Sequence, residues 1–315
     1  MQVPLRPLRC RPLATALLLA LATSVAASAQ TTTVAPAATR TEIRVQEIGR
    51  SLAVISGAGG NVAVWHGADG TVLVDDGLQS SVAPLLEAVA RVAPGPVRMV
   101  IGTHWHPDHV GGNAALGRTG TVLIAHENVR GRMASSQELV EYDMKVPPAP
   151  GIALPVVTFT DTLSIRLNGD RAEAIHVPGA HTDGDVVVWW QQANVVHLGD
   201  VYYNAGYPYI DVERGGALAG AVAAIEGVLS RADAGTVVIP GHGPLSNRQE
   251  LADYRDMLVA VGRKVRELVE DGKSLEEILA ARPTAEFDAR YGTGGTSAER
   301  FVQQLHRDLV DRRRR

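Results

Sequence analysis

The sequence predicts a layered α/β domain. Short apolar runs of strand length, separated by glycine-containing turns, alternate with longer stretches that have helical spacing. The chain has 315 residues, 45% of them hydrophobic, so it is long enough to bury one large core or two small ones. Its last quarter differs, because apolar residues there recur every three or four positions and predict helices.

The first 29 residues have the pattern of a secretory signal peptide. Three arginines precede a short apolar run at residues 13–22, and Ala-Ser-Ala at residues 27–29 is typical of a cleavage site. Because about 10–14 apolar residues are too few to span a bilayer, no stable membrane anchor is expected after cleavage. Cys10 is the only cysteine, so the mature chain would have no thiolate ligand. We therefore predict a periplasmic or secreted protein.

The secondary structure is predicted from apolar runs bounded by Gly, Pro and Asn turns. Strands are predicted at residues 52–56, 61–66, 71–74, 97–101, 121–125, 163–167, 172–176, 186–190, 195–198 and 236–239. Helices are predicted at residues 82–92, 126–133, 218–231 and along the apolar stripe from residue 251 to residue 268. Capping boxes at Ser274 and Thr296 predict two more helices, and the prolines in residues 142–155 predict a loop.

This pattern divides the chain into four parts. We predict a signal peptide at residues 1–29, a flexible leader at residues 30–45, the main domain at residues 46–250 and a C-terminal helical extension at residues 251–315.

The main domain contains a dense run of metal-ligating side chains. Residues 103–109 are Thr-His-Trp-His-Pro-Asp-His, which places three imidazoles and one carboxylate in six consecutive residues shortly after a predicted strand. Imidazole nitrogen and carboxylate oxygen suit zinc and its first-row neighbours. If strand geometry continues, His104 and His106 point to one side, whereas Asp108 and His109 belong to the next turn. One short run could thus serve two adjacent metal ions.

Further ligands are needed, and three candidates follow at strand ends. His181 lies in a glycine-containing loop, Asp200 follows the strand at residues 195–198, and His242 lies in a Pro-Gly-His-Gly-Pro sequence. Glycine beside a ligand allows a close backbone approach, and loops at strand ends are where sites are usually built.

On these motifs the sequence resembles the metallo-β-lactamase superfamily over residues 48–245. The motifs occur in the family's order, starting with Val-Asp-Asp-Gly at residues 74–77. The resemblance implies a four-layer αβ/βα sandwich with metals at one edge between two sheets. It also implies a first zinc ion bound by His104, His106 and His181. It implies a second bound by Asp108, His109 and His242.

Two carboxylates have separate roles in this resemblance. Asp200 would bridge the two metals beside a hydroxide. Asp75 would orient imidazole ligands without binding metal, although its neighbour Asp76 could face the site instead. Iron or manganese could take the place of zinc.

Such a site implies hydrolysis of a small-molecule substrate. Two metals about 3.5–4 Å apart trap a hydroxide that would attack an ester, lactone, thioester or amide, with Asp108 as the catalytic residue that orients it or moves its proton. Dizinc β-lactamases have Cys at the position of Asp200 or lack the bridging carboxylate, so the ligand set resembles the glyoxalase II and lactonase branches. β-Lactamase activity, a mononuclear iron persulfide dioxygenase and a non-catalytic periplasmic metal- or ligand-binding protein stay open as alternatives.

Substrate contacts are predicted mainly in the tyrosine-rich loop at residues 202–209. Tyr203 and Tyr207, together with Trp105 between two ligands, are the candidates, with packing in the core as the alternative. No Lys or Arg occurs in this loop before Arg214, and the net charge is −4, so no nucleic acid partner is expected. The sequence indicates no oligomeric state.

Overall fold

The computed structural model describes residues 42–314, apart from the side chains of residue 141 and residues 312–314. The predicted signal peptide and most of the predicted leader therefore lie outside the described residues. Within residues 42–314, no helix combines the length and apolar character needed to cross a membrane.

The strands of the described part form two large sheets and one hairpin. They are β1 (Arg44–Ile48), β2 (Leu52–Ser56), β3 (Val62–Trp65), β4 (Thr71–Val74), β5 (Val97–Ile101), β6 (Val122–His126), β7 (Gln137–Leu139), β8 (Met144–Val146), β9 (Val157–Phe159), β10 (Thr162–Leu167), β11 (Asp170–His176), β12 (Val186–Trp190), β13 (Val195–His197), β14 (Val237–Ile239) and β15 (Ser246–Asn247). The first sheet has the order β1-β2-β3-β4-β5-β6-β9, the second has the order β10-β11-β12-β13-β14-β15, and β7 pairs with β8.

The helices of the described part lie on the outer faces of the sheets or join their strands. They are α1 (Val82–Val92), α2 (Pro107–Val110), α3 (Asn113–Arg118), α4 (Glu127–Met133), α5 (Leu218–Arg231), α6 (Arg248–Glu270), α7 (Leu275–Ala280), α8 (Asp288–Tyr291) and α9 (Ala298–Arg314). The pairs β4–β5, β5–β6 and β13–β14 are parallel, and helices lie in the connection between the two strands of each pair.

Three apolar cores separate four layers. The core between the sheets contains Trp65 and Trp190, whose rings meet edge to face with centroids 6.4 Å apart. The outer face of the first sheet packs against α1 and α3. The outer face of the second sheet packs against α5, α6, α7 and α9. The four-layer αβ/βα sandwich is therefore confirmed, and the C-terminal helices complete its fourth layer.

Some local predictions were wrong. Strand β1 begins at Arg44, so the predicted leader at residues 30–45 ends inside a strand. The predicted loop at residues 142–155 contains β8 and a 3₁₀ turn at Gly151–Ala153. The capping box at Ser274 is present, but α9 is capped one residue later than predicted, because Ser297 Oγ accepts from Arg300 N. Strands β1, β7 and β8 lack the apolar pattern that would predict them, because β1 is mostly exposed and β7 and β8 have three residues each.

Candidate metal centre

The seven predicted ligand residues meet at one edge of the sandwich, where several strands of both sheets end. They divide into two groups whose ligand atoms lie within 4.8 Å of one another. The first group consists of His104, His106, His181 and Asp200. The second group consists of Asp108, His109 and His242. We call them the first and second clusters.

Local structure explains how one short run supplies both clusters. The run leaves β5 in extended conformation, and His106 still has φ −64° and ψ 145°. Pro107 then begins α2, which turns the chain and carries Asp108 and His109 away from the two preceding histidines. The predicted change of direction within the run is therefore what the structure shows.

The first cluster is compact and buried. His181 Nε2 lies 2.8 Å from His106 Nδ1. Asp200 Oδ2 lies 3.8 Å from His181 Nε2 and 4.0 Å from His104 Nε2. Three imidazole nitrogens and one carboxylate oxygen thus converge on one point.

The second cluster uses the other oxygen of the same aspartate. Asp200 Oδ1 lies 3.1 Å from His109 Nε2 and 3.4 Å from His242 Nε2. Asp108 Oδ2 lies 3.1 Å from His242 Nε2 and 3.6 Å from His109 Nε2. Asp200 therefore directs one carboxylate oxygen at each cluster, which is the geometry of a bridging ligand.

The donor groups of the first cluster fit a cation. His104 Nε2 is buried and has no hydrogen-bond partner among the described residues, although it points at the cluster. Burial and neighbouring histidines lower the pKa of His104 and of His181, so both imidazoles are neutral and offer a lone pair. Burial raises the pKa of Asp200, but His242 and His109 outweigh it and hold the pKa well below its usual range. This neutral-imidazole and carboxylate set suits zinc or another first-row metal.

Metal binding at the second cluster depends on pH, because its histidines hold protons in the metal-free protein. Burial lowers the pKa of His242, but Asp200 and Asp108 outweigh burial and raise it to about 9. The pKa of His109 is likewise raised by carboxylates against the effect of burial. A cation must displace these protons, so metal binding here weakens as the pH falls.

Asp75 holds two of the ligand histidines from behind. Its Oδ2 accepts hydrogen bonds from His109 Nδ1 at 2.7 Å and Thr103 Oγ1 at 2.8 Å. Thr103 Oγ1 in turn lies 3.0 Å from His104 Nδ1. These bonds keep a proton on each Nδ1 and leave each Nε2 free for a metal. Asp76 instead accepts from Gly112 N at 2.7 Å, so Asp75 is the residue that contacts the ligands.

A second set of supporting groups was not predicted from the sequence. Asp211, which is fully buried, lies with Oδ2 3.2 Å from His106 Nε2. The carbonyl oxygen of Tyr209 lies 2.6 Å from His181 Nδ1. Tyr209 ends the tyrosine-rich loop, but no local pattern predicts that its carbonyl oxygen or the carboxylate of Asp211 contacts a histidine, because this irregular segment reaches the histidines only through the tertiary fold.

A cavity of about 280 Å³ opens beside Asp108, Asp200 and His242. Tyr203 lines it, and its ring centroid lies 5.3 Å from that of His242. Tyr209, at the end of the same tyrosine-rich loop, also lines it. Further parts of the wall come from residues that were not predicted as substrate contacts: Leu78, the β7–β8 hairpin with Leu139, Tyr142 and Met144, and residues 295–296.

The structure places the other two predicted substrate contacts, Trp105 and Tyr207, in apolar cores and not on the cavity wall. Trp105 is 2% exposed and packs with Val129 and Met133 in a small apolar core, outside the cavity. Tyr207 is fully buried, stacks on Phe301 and donates its hydroxyl hydrogen to Asp288 Oδ1 at 2.9 Å. Both positions bury large aromatic surfaces, so packing accounts for them.

Comparison with known proteins agrees with this geometry. The sequence pattern of the Metallo-beta-lactamase superfamily matches residues 57–242, more than half of the chain and all seven ligand positions. The chain belongs to the metallo-β-lactamase superfamily.

A hydroxyacylglutathione hydrolase from Polaromonas sp. is 31% identical over 162 residues, which cover 51% of this chain and 54% of that protein. A type 2 metallo-beta-lactamase from Bacteroides fragilis is 23% identical, over 52% of this chain and 59% of that protein.

Two further proteins match over longer stretches. Metallo-beta-lactamase domain-containing protein 1 from Rattus norvegicus is 30% identical over 63% of this chain and 72% of that protein. The solved structure of the sec-alkylsulfatase Pisa1 from Pseudomonas sp. has a TM-score of 0.64 at 18% identity, over 85% of this chain and 50% of that one. These likenesses support the fold, whereas the chain spans only about half of the first relative's length.

Proposed function

We propose that the protein is a dizinc hydrolase that cleaves a small ester, lactone, thioester or amide. The single observation that carries the proposal is the placement of Asp200, whose two oxygens face different ligand clusters. A site for one iron ion, as in a persulfide dioxygenase, would use only the first cluster and leave the second without a role. Relatives named as a hydrolase and as metallo-beta-lactamases support the reaction class.

The residues around the clusters have distinct tasks. Bound metal ions would supply a water of lowered pKa as the nucleophile and would polarise the scissile carbonyl. Asp108 lines the cavity and its side chain is 32% exposed, so its carboxylate can orient the attacking water and accept its proton. The histidines around it hold the pKa of Asp108 well below its usual range against the effect of burial, which keeps the carboxylate ionised. Asp75 and Asp211 keep the imidazoles in the orientation that binds metal.

The walls of the cavity favour an uncharged acyl group. Leu78, Leu139 and Met144 supply apolar surface, while Tyr142 and Tyr203 supply aromatic faces with one hydroxyl each. None of the described residues that line the cavity is a Lys or an Arg. The cavity wall therefore offers a strongly anionic substrate no Lys or Arg side chain.

We also propose export from the cytoplasm, on the basis of the arginines, the apolar run and the Ala-Ser-Ala sequence in residues 1–29. N-terminal sequencing of protein recovered from a periplasmic extract tests this proposal. We expect the mature chain to begin at Gln30. An intact Met1 in the recovered protein would contradict it.

The function is tested by metal analysis and a substrate screen on the purified chain. We expect two zinc equivalents and loss of hydrolysis on chelation, followed by recovery on zinc addition. The screen compares esters, lactones, thioesters, amides and β-lactams. We expect Asp108→Ala to lower kcat by roughly 10²–10⁴-fold, the usual contribution of general acid–base catalysis.

Asp161→Ala, which removes an exposed carboxylate, is the matched control and should keep full activity. One iron equivalent, full activity in Asp108→Ala, or activity that survives chelation would each contradict the proposal.

A further inference from the structure

One short segment, residues 209–211, orients His106 and His181 of the first cluster. The carbonyl oxygen of Tyr209 lies 2.6 Å from His181 Nδ1, and Asp211 Oδ2 lies 3.2 Å from His106 Nε2. In addition, Asp211 N donates to the carbonyl oxygen of His181 at 2.9 Å. The position of this segment therefore sets the orientation of two imidazoles.

The 209–211 segment belongs to neither a strand nor a helix, so no ladder of backbone bonds holds it. Its central residue, Ile210, is 2% exposed, and its backbone N–H must find a partner inside the protein. That partner is Gln304, whose Oε1 accepts from Ile210 N at 3.0 Å across 94 positions of sequence.

Gln304 lies on the buried face of α9, beside Phe301 and Leu305, and is 1% exposed. A buried amide is unfavourable unless it forms hydrogen bonds, so a polar residue among these apolar neighbours needs a specific reason. Helix α9 also lies beyond residue 242, where the match to the superfamily ends. The C-terminal region thus reaches the segment that supports the metal ligands.

We propose that Gln304 is a positioning residue for the first cluster, because its amide holds the 209–211 segment that orients two of the cluster's histidines. Without the acceptor, the buried N–H of Ile210 lacks a partner and the segment shifts to find one. Such a shift moves Tyr209 and Asp211 together. The inference rests on the proposed metal occupancy and extends it to the C-terminal helices.

The test measures zinc affinity by competition with a chromophoric chelator, in the full chain carrying His242→Ala to disable the second cluster. In this background, Gln304→Met keeps the side-chain length but removes the acceptor. We expect it to weaken zinc binding on the order of tenfold, as removal of an outer partner typically does. Gln304→Glu keeps an oxygen at this position and is expected to recover most of the loss.

Leu305→Ala is the matched control, because it removes buried packing from the same helix but leaves the amide that accepts from Ile210 N in place. It should lower the melting temperature but leave zinc affinity unchanged. In a His104→Ala background, where the first cluster is disabled, Gln304→Met should also leave zinc affinity unchanged. If Gln304→Met fails to fold, Gln304→Asn, which shortens the side chain, should still weaken zinc binding in the His242→Ala background.

Three outcomes would overturn the inference. They are unchanged zinc affinity in Gln304→Met, an equal loss in Leu305→Ala, and an equal loss when the first cluster is already disabled. Absence of zinc binding by the unsubstituted chain would overturn the proposed function as well, so the two failures are distinguishable.

Discussion

The substitution Asp75→Asn tests how the ligand histidines are held. The carboxylate of Asp75 accepts from three donors: Thr103 N at 2.7 Å, Thr103 Oγ1 at 2.8 Å and His109 Nδ1 at 2.7 Å. An Asn side chain has one oxygen, which can remain on the backbone N–H. Its NH₂ group then faces two donors. His109 relieves this conflict only by moving its proton to Nε2, the nitrogen that a metal needs.

The expected loss follows from these contacts. Asn tolerates the positive φ of 64° at this position, so the backbone is not strained. Removing an outer partner of a metal-bound histidine typically lowers metal affinity about 10–100-fold. That range corresponds to about 1.4–2.7 kcal/mol of binding free energy. A buried donor left without a partner lowers the free energy of unfolding by a further ~1–3 kcal/mol in the metal-free chain.

Zinc dissociation constants from chelator competition measure this effect, with Asp76→Asn as the matched control. Asp76 is equally buried, and burial raises its pKa well above the usual range, so a neutral amide is a close substitute. Its contact with Gly112 N needs only an acceptor, which Asn retains. Wild-type zinc affinity in Asp75→Asn, or the same loss in Asp76→Asn, would refute the reasoning.

Three further predictions concern folding, pH and substrate binding. Tyr207→Phe removes the hydrogen bond from the Tyr207 hydroxyl to Asp288. The free energy of unfolding in urea should fall by about 1–2 kcal/mol. A large fall in kcat/KM would contradict the assignment of Tyr207 to the core. Burial raises the pKa of Asp185 to about 6, so the folded state binds a proton that the unfolded state releases, and stability falls by about 3 kcal/mol between pH 4 and pH 7. Asp185→Asn should remove that slope, and a profile parallel to wild type would show another group to be responsible. Tyr142→Ala removes a half-exposed ring from the cavity wall. It should raise KM about tenfold, equivalent to ~1.4 kcal/mol of substrate-binding free energy. An effect confined to kcat would exclude a role for Tyr142 in substrate binding.

Much of the fold could be predicted from local pattern. The bounds of α1, β5, β12 and α5 agree with the predicted ranges. The two helices have apolar residues at helical spacing, and the two strands are short, mainly apolar runs. By contrast, β1, β7 and β8 were not predicted. They are short or mostly exposed, so pairing with neighbouring strands defines them rather than an apolar pattern.

The candidate site shows the same division. The run from His104 to His109 is visible in the sequence, because it places specific metal-ligating residue types at close spacing. Asp200 and His242 are far from this run, and their strand-end positions became candidates whose ligand roles rested on the resemblance to the superfamily. Trp105 illustrates the limit, since its place between two ligands says nothing about which side of the chain its ring occupies. The structure buries it under the site.

The amino-acid sequence alone shows the residue types at the seven ligand positions, the order of the strands that carry them and the lack of cysteine beyond Cys10. The folded arrangement was needed to show which oxygen of Asp200 faces which cluster, and that the β7–β8 hairpin helps to form the cavity. It was also needed to show that Gln304 Oε1 accepts from Ile210 N across 94 positions of sequence. The physical reason is that ligand identity is a local property of the chain, whereas orientation and enclosure depend on contacts between distant segments, which have no local period.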